Sequence, residues 1–196
     1  MRLAIAFVLA AFVPAVLGCA HERVVDPTHG QPAGGPATGG DAITRDVSGG
    51  TAPGGTVHAL DGKDVDLATL WERQPVVIVF YMGHWCPSCQ HQLADLDNHL
   101  ADFTAAHASV VAISTDSVDD ATALHDHLGL HFDLYSDPDE AAASKWGVAD
   151  FSVGVARPAT FVVQPGGSVR FRHVGKSESD RPRVEDILAA LAPDKS

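Results

Sequence analysis

Cys86-Pro87-Ser88-Cys89 is the stretch of this chain best equipped for chemistry. Two thiols so close in sequence can join and part as a disulfide, or lend soft donors to a metal ion. They follow Trp85 and the apolar run Val76-Val77-Ile78-Val79-Phe80-Tyr81, which has the length and β-branched, aromatic composition of a buried strand. Beyond them Leu93, Leu96, Leu100 and Phe103 recur every three or four residues, one stripe of an amphipathic helix. The dithiol therefore falls where a strand passes into a helix N-terminus. Unpaired backbone N–H groups and the positive end of the helix dipole favour a thiolate there. Cys86, at the helix start, is read as the attacking sulfur. Cys89, one turn inward, is read as the sulfur that resolves the mixed disulfide. Pro87 suits the first helical position, where its missing N–H costs nothing.

The non-redox alternative is a zinc or copper site in which His84 and His91 join the two cysteines. Structural zinc sites carry a second Cys/His pair at recognisable spacing, and the chain shows none. The redox reading is preferred, with no cofactor. His84, when protonated, would stabilise a thiolate at Cys86; a ring simply facing solvent is the bland alternative. Trp85 is expected on an apolar rim where partner chains dock. Trp71 and Trp146 are core candidates, and His91, His125, His127 and His131 receive no role.

Around the pair the pattern predicts alternating strands and helices. Thr56–Leu60 and Val65–Leu67 flank Asp61-Gly62, a hairpin signal. A short helix over 66–71, with Asp66 as N-cap, precedes the strand at 76–81. The redox helix is predicted from Pro87 to Ala106, a strand over 110–114, and a helix over 118–128 ending at Gly129. A strand at 132–135 and a helix over 140–146 closed by Gly147 come next. Ala159–Gln164 and Val169–Val174 bracket Pro165-Gly166-Gly167 as a second hairpin, and 183–191 forms a last helix. This order describes an α/β fold, a mixed central sheet flanked by helices in a single domain. Right-handed crossover makes the strands at 76–81 and 110–114 parallel neighbours.

The ends of the chain set its expected address. Arg2 and the apolar Leu3–Val13 read as a signal segment too short to stay in a bilayer. Val16-Leu17-Gly18-Cys19 resembles a lipobox, so residues 1–18 are expected to be removed and Cys19 lipidated. Each buried methylene of an acyl chain contributes ~0.8 kcal/mol, enough for two or three chains to anchor the protein stably. An exported protein held on a bacterial membrane, facing periplasm or exterior, is the expectation. Gly- and Pro-rich residues 19–55 read as a flexible tether of roughly 30–36 Å r.m.s. reach, leaving 56–196 as the domain. With Cys19 given to lipid, Cys86 and Cys89 are the remaining cysteines of an exported domain, so they serve chemistry rather than structure. The net charge of −12 argues against nucleic acid as a partner.

With these elements in place, the chain resembles the thioredoxin superfamily, and within it the peroxiredoxin-like (alkyl hydroperoxide reductase/thiol-specific antioxidant) branch. The resemblance is carried by 80–89, by 112–117, by Tyr135-Ser136-Asp137-Pro138-Asp139, by Lys145-Trp146-Gly147-Val148 and by Arg157-Pro158-Ala159-Thr160-Phe161. It implies a thioredoxin-like fold in which Pro158 is a cis-proline facing the dithiol and pairing with an extended partner segment. It also implies a thiol–disulfide oxidoreductase, or alternatively a thiol peroxidase. The expected partners are a disulfide-bearing protein or a small thiol or peroxide, with a membrane thiol carrier as electron donor. Peroxide-reducing members carry Pro-x-x-x-Thr/Ser-x-x-Cys; counted back from Cys86, those places hold Val79 and Gly83. Arg157 is the candidate for the family's substrate-polarising arginine, although it lies on the other side of the proline from the usual place. Thioredoxins proper keep a buried aspartate six residues before the first cysteine, where this chain has Phe80. Proton transfer to Cys89 therefore requires water or another group.

Overall fold

The computed structural model describes residues 50–192. The signal segment, Cys19 and the tether up to residue 49 lie outside the described residues. Its elements in chain order are β1 (Thr56–Ala59), β2 (Asp64–Asp66), a 3₁₀ turn (Leu67–Trp71), β3 (Val76–Phe80), α1 (Pro87–Asn98) and α2 (Leu100–Ala105). Then come β4 (Ser109–Ser114), α3 (Val118–Leu128), β5 (Asp133–Ser136), α4 (Ala141–Lys145), β6 (Ala149–Asp150) and β7 (Val155–Ala156). The described chain ends with β8 (Ala159–Val163), β9 (Val169–Val174) and α5 (Val184–Leu191). Seven strands form one mixed sheet in the order β2-β1-β5-β4-β3-β8-β9, and β6 and β7 make a separate ribbon.

β3 lies inside this sheet, parallel to β4 on one side and antiparallel to β8 on the other. Every residue of β3 is buried, which explains why its sequence is a continuous apolar run rather than an alternation. Alternate side chains nevertheless serve two cores. Val77, Val79 and Tyr81 pack with Leu93, Leu96, Phe103 and both cysteines on the α1 face. Val76, Ile78 and Phe80 pack with Trp71, Trp146 and Phe161 on the opposite face. The dithiol is thus rooted in one core and the tryptophans in the other.

Local signals hold well. Asp66 accepts from Ala68 N at 3.0 Å and caps the 3₁₀ turn. Ser117 Oγ accepts from Asp120 N at the start of α3, and Gly129 ends it at φ +62°. Three expectations need correction. The predicted single helix from Pro87 to Ala106 divides at His99 (φ −105°, ψ 13°), where its N–H tightens onto Leu96 O and its ring bonds Asp95 O. Residues 50–55, assigned above to the tether, are held against the domain. Ala52 N donates to Gly167 O at 2.7 Å, Thr51 bridges Ser168, and Gly54 O accepts from Trp146 Nε1. The unpaired backbone at the β8–β9 turn accounts for that docking. The third is Pro158, whose peptide bond is trans.

Candidate functional site

β3 ends at Phe80, and Tyr81–Trp85 carry the chain across the sheet edge to α1. Gly83 belongs there for a steric reason. A Cβ at that position would lie 2.6 Å from Trp85 Nε1 and 3.1 Å from Asp116 Oδ1. Its absence lets the Trp85 ring fold back while remaining 53% exposed. Cys86 is the N-cap of α1. Its Sγ accepts from Cys89 N at 3.3 Å, and its carbonyl accepts from Gln90 N at 3.0 Å. Pro87 occupies the first turn as predicted. Both cysteines are free thiols and both are buried, Cys86 at 1% and Cys89 at 0% exposure.

The two sulfurs differ in their surroundings. The Cys89 thiol is pushed up to about 12, first by burial and then by its contact with Cys86. The Met82 backbone and the Arg181 guanidinium oppose that shift. Arg181 Nη2 lies 3.2 Å from Cys89 Sγ. This arginine stands 92 residues further along the chain, just before α5, and sequence reading missed it. Local periodicity carries no signal for such a contact; only the return of the chain past β9 creates it.

His84 is placed by Asp116, a second residue without an assigned role in the sequence reading. The carboxylate accepts the His84 backbone N–H at 2.8 Å, and its Oδ1 lies 2.9 Å from Nδ1. Ser114 Oγ donates to the same carboxylate at 2.8 Å. Asp116 is itself buried, so its charge is fully engaged with these donors. The carboxylate hydrogen bond raises the His84 proton affinity above the ordinary value of 6.5, against a smaller opposing effect of burial. The imidazolium is therefore stabilised in the fold. Its contribution to stability is present below the ordinary histidine range and is lost as pH rises through the raised value. An NMR titration of the His84 ring should show a midpoint above 6.5 that Asp116→Asn returns to the ordinary range. An unchanged midpoint in that variant would remove the carboxylate as the cause.

Arg157 and Pro158 sit across the cleft from Met82. Pro158 is buried and its carbonyl accepts from Gly175 N at 2.7 Å. Among the described residues every peptide bond is trans, so the cis assignment for Pro158 is corrected. The chain leaves the β6–β7 ribbon extended, with Arg157 N bonded to Val148 O and Pro158 O to Gly175 N, and these bonds guide it into β8 without a reversal. Arg157 Nη2 donates to Gly175 O at 3.3 Å, which ties its guanidinium to backbone. Met82, Val153, Arg157, Pro158 and Lys176 line a cleft of about 160 Å³ there. A cleft of about 400 Å³ along α1 is lined by Ser88, His91, Gln92, Asp95 and Arg181. His91, given no role, thus lines the same cleft as Arg181. Among the described residues no group of three or more His, Cys, Asp and Glu is placed to hold one metal ion.

Residues 48–172 match the AhpC/TSA family. The chain belongs to that family. A Mycobacterium tuberculosis protein named as a peroxiredoxin is 36% identical over 133 residues, spanning 64% of this chain and 83% of its own. Alkyl hydroperoxide reductase E of the same species is 30% identical over 147 residues, spanning 73% and 96%. In shape, the chain is similar to peroxidoxin BcpB of M. tuberculosis, with a TM-score of 0.69 at 24% identity over 76% of this chain and 97% of that one. The AhpC/TSA protein is accordingly a thiol-dependent oxidoreductase of peroxiredoxin-like kind, on the thioredoxin-like fold that the resemblance implied.

Proposed function

We propose that this AhpC/TSA protein is an exported, lipid-anchored thiol–disulfide oxidoreductase that cycles Cys86 and Cys89 between dithiol and disulfide. The observation that carries the reading is the placement of two free sulfurs in one helical turn, one capping the helix and the other facing a guanidinium. In the reducing direction Cys86 attacks a substrate disulfide, and Cys89 displaces the substrate from the mixed disulfide. A thiol carrier in the membrane would restore the dithiol, and the lipid on Cys19 would keep the domain near that donor.

A second reading, peroxide reduction, has support of its own. The relatives include an alkyl hydroperoxide reductase. Counted back from Cys89 instead of Cys86, the Pro-x-x-x-Thr/Ser-x-x-Cys places fall on Met82 and Cys86. In that register the cysteine facing Arg181 is the motif's own, and Cys86 replaces the hydroxyl residue. Both readings end in the same Cys86–Cys89 disulfide. Treatment of the full reduced chain with one equivalent of hydrogen peroxide or of a disulfide peptide should therefore remove two hydrogens and bridge those residues in the peptide map. Oxidation that halts at a sulfenate with peroxide, or at a mixed disulfide with the peptide, and forms no bridge, would overturn the dithiol cycle. The faster oxidant identifies the preferred substrate class.

A further inference from the structure

The resolving step presents an electrostatic difficulty. Cys89 is fully buried, and burial favours its thiol. Yet only a thiolate attacks the mixed disulfide at a useful rate. The buried aspartate that thioredoxins proper keep for this sulfur is Phe80 here. We propose that Arg181 supplies the missing assistance, as the cation that stabilises the Cys89 thiolate as it forms in the second half of the cycle. This rests on the dithiol reading above and assigns its second step.

The geometry supports the role in three ways. Arg181 Nη2 is within hydrogen-bonding distance of Cys89 Sγ, at 3.2 Å. Its Nε and Nη1 are buried with no hydrogen-bond partner among the described residues. A desolvated cation with idle donors is costly beside a neutral thiol and is compensated beside a thiolate. The loop that delivers it is also tied down. Gly175 N is bonded to Pro158 O, Lys176 N to the Asp180 carboxylate, and Asp180 Oδ1 lies 3.1 Å from His173 Nε2. A Cβ on Gly175 would lie 2.5 Å from Asp180 O, so the turn closes this tightly only with glycine. Arg181 follows directly and inherits that fixed position.

Other groups facing Cys89 do not replace it. Cys86 Sγ contacts Cys89 at the helix start, the Met82 backbone approaches from the end of β3, and the buried Tyr81 phenol interacts electrostatically with both Cys89 and Asp116. The phenol proton is bound more tightly than usual because the group is buried, so Tyr81 is not a base at neutral pH. Arginine does not accept a proton either. The step therefore runs as follows. Cys86 thiolate attacks the substrate disulfide, whose S–S bond breaks and releases one substrate thiolate. Cys89 gives its proton to water, and the resulting thiolate, paired with Arg181, attacks Cys86 Sγ. The Cys86–Cys89 bond forms and the second substrate thiolate leaves. Both released thiolates take up protons, and the substrate has gained the two electrons that the dithiol lost.

Stopped-flow reaction of the full reduced chain with the aryl disulfide 5,5′-dithiobis(2-nitrobenzoate) separates the halves. Each half releases one equivalent of the coloured thiolate. Arg181→Met should leave the first phase within about twofold while slowing the second about tenfold or more at neutral pH, as expected when an opposite charge at this distance is lost. The pH midpoint of the second phase should rise, and Arg181→Lys should restore part of the rate. A second phase unchanged in rate and midpoint overturns the proposal. Slowing confined to the first phase also overturns it and moves the initial attack to Cys89. A wild-type protein that releases only one equivalent overturns the dithiol cycle itself, a failure readily told apart from the others. Matching thermal melts of wild type and the lysine variant exclude a folding effect.

Discussion

Serine at position 86 is expected to reduce turnover with disulfide or peroxide to the uncatalysed rate, whereas serine at 89 should permit a single, unproductive attack. The difference follows from the two environments. Cys86 caps α1, and its sulfur receives the Cys89 N–H, so negative charge developing there meets a donor and the helix dipole. A serine oxygen in that place is a far weaker nucleophile. With Cys89→Ser the attack at Cys86 still occurs, but nothing displaces the bound group. A biotinylated peptide disulfide should therefore remain attached to that variant, and its mass adduct should map to Cys86. The Cys86→Ser variant should carry no adduct. The reverse pattern would exchange the two roles, and equal trapping by both would show that neither sulfur resolves the other.

Much of this site is legible in one stretch of sequence because its logic is local. Strand, cap, proline and helix follow each other within 76–98, and the propensities all agree. The exposed Trp85 belongs to the same stretch. The groups that tune the site are distant in sequence. Asp116 arrives from the end of β4, 32 residues from His84. Arg181 arrives after the whole sheet has been built, and its residue type alone does not distinguish it from Arg183, which lies exposed and pairs with Asp186. Tertiary contact, not pattern, separates these two arginines.

The errors have physical causes of the same kind. The stripe from Leu93 to Phe103 has helical spacing throughout, and nothing in it announces the break at His99. The divided helix still buries Leu93, Leu96 and Phe103 in one core, so periodicity survives a discontinuity in the backbone. Residues 50–55 are rich in Gly and Pro, the composition of a tether, yet their backbone bonds satisfy groups on the β8–β9 turn. Composition reports what a segment can bury and is silent on whether its backbone finds partners. The β6–β7 ribbon is too short for any strand pattern, with two residues on each side.

The core behind the sheet should show the largest effect on stability. Trp146 lies 4.8 Å from Phe161, 5.7 Å from Phe80 and 6.1 Å from Trp71 between ring centroids, mostly edge to face. It is 5% exposed, and its Nε1 donates to Gly54 O at 3.0 Å. Trp146→Ala removes ring packing and that bond together, and should cost about 3–5 kcal/mol in denaturant unfolding. That is a large part of the roughly 5–15 kcal/mol that holds a typical domain. Trp146→Phe keeps an aromatic ring but leaves the Gly54 carbonyl without its donor, and should cost nearer about 1–3 kcal/mol. Because these rings occupy the face opposite the cysteines, the rate of Cys86–Cys89 disulfide formation in the molecules still folded should stay within about twofold of wild type. A loss below about 1 kcal/mol for the alanine variant would mean that the cluster contributes little beyond its area. A slowed dithiol reaction in the folded fraction would mean that the two cores, though divided by the sheet, are mechanically joined through β3.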